Sequence, residues 1–134
     1  MSPCRAGQTA PMDHRSLARL SAAGRVAIGA ALLVAPQLVT KGWTGADGAT
    51  PGGRLLGRSL GARDLALGLG VLSALGRGDP KATDWIRASA ASDAVDAAAT
   101  VLAYRHLPKW GRFGVLALAA TAAVGGFVAA ENLD

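Results

Sequence analysis

"GARDLALG", residues 61–68, sets an arginine beside an aspartate in the middle of an apolar run. It lies within "GRLLGRSLGARDLALGLGVL", residues 53–72. A helix of about 20 such residues, rising ~1.5 Å each, covers the ~30 Å of hydrocarbon in a bilayer. Outward from it, turn signals delimit three more stretches of the same kind. The separators are "TKGWTGADGATPGG", "GRGDPK" and "HLPKW", rich in Gly, Pro or charge. The predicted spans are about 17–39, 54–76, 83–105 and 111–131, with Pro36 ending or kinking the first. Short connections make sequential helices antiparallel. The expected fold is therefore all-α: a four-helix transmembrane bundle of up-down topology over residues 15–134, after a disordered segment at 1–14.

Composition agrees with that reading. Hydrophobic residues make up 51% of the 134 and mean hydropathy is +0.30, high for a soluble chain of this size. Most of the apolar content is Ala, Leu, Val and Gly, which suits close packing of small-residue helices. Three tryptophans, Trp43, Trp85 and Trp110, fall at the predicted span ends, where amphipathic rings settle at a membrane interface. The net charge of +5 has no basic run interleaved with aromatics, so no nucleic-acid partner is expected. The expected surroundings are the lipid bilayer, as a multi-pass protein of the cell membrane, with both termini on the cytoplasmic side although the basic residues divide almost evenly. No cleaved signal peptide is expected, because Arg25 interrupts the approach to the apolar run that follows it and no small-residue cleavage site precedes the next loop.

Several chemistries are set aside by residue type. The single cysteine, Cys4, allows no intrachain disulfide or Cys-based metal site. His14 and His106 have no second ligand at metal spacing, so neither a metal nor another cofactor is expected. "GRLLGRSLG" lacks the Gly-Lys-Ser/Thr ending of a phosphate loop. Ala117, Thr121 and Gly125 recur at four-residue spacing in the fourth span and read as a packing face.

The polar residues inside the spans carry the functional signal. On a helix at 3.6 residues per turn, Gly57, Gly61, Asp64 and Gly68 fall within about 60° of one another. The glycine face is expected to bring Asp64 against the third span. Arg63, about 100° round the helix, reaches another neighbour. In "SAASDAVDAAATVLAY", residues 89–104, Ser89, Asp93, Asp96, Thr100 and Tyr104 share a stripe of roughly 80°. Counting depth along antiparallel spans places Arg25, Arg63, Asp64, Asp93 and Asp96 near one level, with Arg58 about 8–9 Å closer to the interface at ~1.5 Å per residue. A lone charge at the bilayer centre costs about 2.5–3.5 kcal/mol on insertion scales, so pairing is expected. Asp93 and Asp96 stand at i and i+3, and two carboxylates that close disfavour simultaneous ionisation, which offers a protonatable group. The candidate acid/base cluster is thus Asp93, Asp96, Asp64 and Arg63. The candidate ligand-binding residues are Arg25, Arg58, Ser89, Thr100 and Tyr104.

With "SDAVDA" following at residues 92–97, the 53–72 stretch resembles the uncharacterised small four-span membrane proteins of bacteria that carry an Arg-Asp pair in the second span and an acid in the third. The likeness covers about a third of the chain. It implies an integral membrane bundle, through Arg63, Asp64 and Asp93, and brings no activity with it. Three functions stay open on the residues: binding of a hydrophobic small molecule or a partner membrane protein; acid/base catalysis (cyclisation, isomerisation or epoxide opening) on a hydrophobic substrate; and proton-linked transport along the Ser89–Tyr104 stripe, in a homo-oligomer because four spans enclose only a narrow pore.

Overall fold

The computed structural model describes residues 13–133, and among them the protein is all-α. The order is α1 (His14–Val34), α2 (Pro36–Thr44), a 3-10 turn (Gly45–Ala49), α3 (Pro51–Arg77), α4 (Ala82–Leu102) and α5 (Lys109–Glu131). The expected disordered segment falls mostly on residues 1–12, outside the described ones. Its last two residues, Asp13 and His14, cap and open α1.

Local chemistry sets each boundary. Asp13 accepts the Ser16 N–H and satisfies one of the free donors of the first turn. That bond holds the Asp13 carboxyl below its ordinary range, helped by the Ser16 hydroxyl. α1 stops at Ala35, whose φ of −135° and ψ of 63° leave the helical region, because Pro36 disfavours helical backbone in the residue before it. Pro36 then opens α2 at the position where a missing N–H costs nothing. The predicted first span, 17–39, is therefore two helices that break at residue 35. Thr50 caps α3, accepting the Gly53 N–H at 3.0 Å. α3 ends at Gly78, in the left-handed region at φ 65°, and the Asp79 N–H closes the turn on the Ala74 carbonyl at 3.0 Å.

α1 and α3 form the tightest pair, antiparallel and in backbone contact. A Cβ placed on Gly29 would lie 2.7 Å from the Leu65 nitrogen, and one on Gly61 2.8 Å from the Gly29 oxygen. One on Gly68 would lie 2.8 Å from the Ala22 oxygen. The glycine face of α3 thus receives α1, not the third span as expected. Helical phase groups Gly57, Gly61 and Gly68 on one face but does not say which neighbour fills it. α4 meets α3 through Trp85, which lies on Gly70. α5 runs antiparallel to α4, with Ala90 against Gly126 and Tyr104 against Phe113. The packing face expected at Ala117, Thr121 and Gly125 is exposed, and Ala119, Ala123 and Ala130 are buried instead. α2 lies across the end of the α1–α3 pair, where the buried Thr40 hydroxyl is 2.8 Å from the Pro36 carbonyl and 2.7 Å from that of Gly48.

Two helices, α1 and α5, are long and apolar enough to cross a membrane, with mean hydropathy of 1.6 and 2.0 over their most apolar stretches. Only 22% of each stretch is buried against the rest of the molecule. Leu20, Leu56, Val95, Leu118 and Val124 are among many large apolar side chains left exposed around all four long helices.

Candidate polar site and cavity

Five charged side chains from three helices form one alternating row. Arg25 of α1 donates from Nη1 to Asp64 Oδ1 of α3 at 2.9 Å and from Nη2 to Asp93 Oδ2 of α4. Arg63 of α3 grips Asp96 of α4 with both ends of its fork, Nη1 to Oδ1 at 3.1 Å and Nη2 to Oδ2 at 2.7 Å. The same Arg63 donates to Asp64 Oδ1 from Nε at 3.3 Å and from Nη2 at 3.1 Å. In order the row reads Asp93, Arg25, Asp64, Arg63, Asp96. Planar guanidinium groups suit it because each must serve two carboxylates at fixed angles, which a lysine ammonium does less well. Every salt bridge among the described residues belongs to this row.

Burial grades along the row. Asp93 is only 8% exposed. Arg25 and Asp64 are nearly as enclosed, while Arg63 keeps about a third of its side chain open, at 32%. The sequence places two arginines and three aspartates at this level, and with all five ionised the row carries a formal −1. Arg58, expected to balance it, is exposed and forms no salt bridge among the described residues. Its position about one and a half turns nearer the helix end takes it out of reach.

Two cavities flank the row. The larger, about 420 Å³, is lined by all five charged residues, and its apolar walls include Ile28, Leu32, Leu60 and Leu118. The smaller, about 270 Å³, reaches Arg25, Ser89 and Asp93 from the other side and is closed largely by Ile86, Ala90, Gly125 and Gly126. Arg25, Asp93, Ser21 and Ala122 line both. The Ser89 hydroxyl is buried without a hydrogen-bond partner among the described residues.

The structure thus brings together Arg25, Arg63, Asp64, Asp93 and Asp96, with Ser89 beside them. It does not bring Thr100 or Tyr104 to the cavities. The Thr100 hydroxyl is buried and donates to the Asp96 carbonyl at 2.7 Å, a bond within α4. Tyr104 lies past the end of α4, where its carbonyl accepts from Arg112 at 3.3 Å and its ring lies 4.4 Å from that guanidinium. The helix ends at Leu102, so the stripe stops one turn short of it. Sequence reasoning missed Trp43 and Val39 of α2 and Ala119 and Ala122 of α5, which wall the larger cavity. Small apolar residues carry no local mark that distinguishes a cavity wall from a packed face. No group of three or more His, Cys, Asp or Glu among the described residues is placed to hold a metal ion.

No protein-family model, no curated protein and no solved structure matches the chain. Its chemistry is therefore read from the site itself.

Proposed function

We propose that this is an integral membrane protein of four spans, α1, α3, α4 and α5, whose central charge row serves a cavity for a hydrophobic small molecule. One observation carries the reading: a cavity of about 420 Å³ lined by all five charged residues together with apolar side chains. Small-molecule sites have this composition, mostly apolar with a few convergent polar groups, and this range of size, ~300–1,000 Å³. Helix lengths support the topology, since 21, 27, 21 and 23 residues correspond to about 32–40 Å at ~1.5 Å per residue. α3 and α4 carry more charge than lipid tolerates singly, and their central charges are paired inside the molecule, which is the arrangement an intramembrane cluster requires. The resemblance to small four-span bacterial proteins belongs to the same reading.

The test is to purify the protein in a neutral detergent and identify retained small molecules by mass spectrometry, beside an Ala122→Phe variant that fills the space shared by both cavities. A hydrophobic species held by the wild type and absent from the variant supports the reading. Identical extracts containing only bulk lipid refute it.

Acid/base catalysis is the second reading, favoured by Asp93, which ends the row at the cavity with one carboxylate oxygen left over from Arg25. A positioned carboxyl in a water-poor pocket is what proton transfer to a hydrophobic substrate requires. On that reading Asp93→Asn removes turnover of the extracted compound and leaves the fold stable.

A further inference from the structure

We infer that the ligand of the larger cavity is a cationic amphiphile, a single ammonium-type positive charge on an apolar body. This rests on the cavity being a hydrophobic-ligand site, as proposed above. The argument is charge balance. The row begins and ends in a carboxylate, so two guanidinium groups leave one negative charge unmatched. Burial makes an unmatched charge costly; a proton on one carboxylate or a bound cation removes the cost, and free carboxylate oxygens on residues that line an apolar cavity suit the cation.

Two carboxylate oxygens are free to attract a cation electrostatically. Asp96 uses both oxygens on Arg63, but Asp64 receives all its hydrogen bonds on Oδ1 and Asp93 receives its own on Oδ2. Among the described residues Asp64 Oδ2 and Asp93 Oδ1 accept none. Both residues line the larger cavity, and so does Trp43, whose ring face attracts a cation electrostatically. An anionic head group would instead meet three carboxylates whose arginines are already engaged. The apolar walls, Ile28, Leu32 and Leu118 among them, account for the body of the ligand.

The experiment follows the thermal unfolding midpoint of the full chain in neutral detergent with four probes: octyltrimethylammonium, octanol, octanoate and tetramethylammonium. Octyltrimethylammonium is expected to raise the midpoint saturably, at a concentration at least tenfold below any effect of the other three. Ala122→Phe is expected to abolish the effect, and Asp93→Asn and Asp64→Asn to bring the ammonium probe to the level of octanol. If either aspartate variant fails to fold, the ranking of the probes on the wild type decides. Octanol or octanoate equalling the ammonium probe, with Ala122→Phe blocking both, overturns the cationic class and leaves the hydrophobic cavity standing. Tetramethylammonium equalling its octyl form overturns the amphiphile. No probe giving a shift sensitive to Ala122→Phe overturns both this inference and the proposed function.

Discussion

Among the described residues, replacing Arg25 by Met removes the only guanidinium that reaches Asp93 and one of two that reach Asp64. The apolar stem is kept and the charge is lost. The row then holds three carboxylates against one arginine, with Asp93, 8% exposed, facing no cation. Removing one partner of a buried ion pair costs about 3–5 kcal/mol, because the other charge is left enclosed and unpaired. Arg63→Met breaks a bidentate pair of better geometry, yet it leaves Asp96 at a more open position, with 32% of Arg63 and 19% of Asp96 exposed, so the expected loss is smaller, about 1–2 kcal/mol. The more buried arginine should therefore matter more, although it makes fewer hydrogen bonds to carboxylates. Equilibrium unfolding in mixed micelles, followed by tryptophan fluorescence, measures both. Adding Asp93→Asn to Arg25→Met should recover part of the loss, as a neutral amide is less costly to bury than a carboxylate, and the double-mutant cycle gives the coupling directly. Equal losses below about 1 kcal/mol for the two arginines would refute the claim that burial governs the row.

Further outcomes follow from other parts of the molecule. Gly29→Ala should destabilise by about 1–3 kcal/mol through overpacking, since its Cβ would meet the α3 backbone, whereas Gly114→Ala, with open space around it, should be neutral or gain about 0.5–1 kcal/mol; the same unfolding titration separates them. The Asp13 cap should follow pH: its carboxyl is held below the ordinary 3.8, so its contribution is complete above that value and disappears as pH falls through the lower folded one. Hydrogen exchange at the Ser16 amide reports this, and Asp13→Asn should remove the pH dependence while keeping a capping oxygen. In a Cys4→Ser background, single cysteines at Lys81 and His106 should be labelled by a membrane-impermeant reagent from opposite sides of a vesicle; labelling from one side only would exclude the four-span topology.

The helices α3, α4 and α5 were legible because hydropathy and the Gly/Pro/charge separators coincide within a few residues of their ends. In the first span the break at Pro36 was legible but the end of the span was not. An apolar run continuing through Leu38 and Val39 hides a change of backbone direction that hydropathy does not register, and only Pro36 marks it. That Arg25, Arg63, Asp64, Asp93 and Asp96 lie close enough to pair could be anticipated from depth along the helices, but which arginine takes which aspartate could not. Nor could two other things. Arg58 would balance the charge but stands too near the helix end and, at ~100° per residue, on another side of α3 from Asp64. The partner of the glycine face depends on whether α1 or α4 comes closest, and that is decided by Leu32, Val26 and Trp85, side chains whose three-dimensional fit no periodicity encodes.

The alternating row also has an order in time. Synthesis delivers Arg25 first, then Arg63 with Asp64, and last Asp93 with Asp96. In the four-span topology the emerging chain carries +1 at this depth after α1, still +1 after α3, and −1 once α4 arrives. Until α4 arrives the two arginines have a single aspartate between them, so neither a lone first helix nor the first helical pair is a comfortable resident of lipid. The insertion machinery would have to shelter α1 and α3 until α4 emerges, and a chain truncated after residue 81 should remain bound to that machinery or be degraded rather than partition into the bilayer.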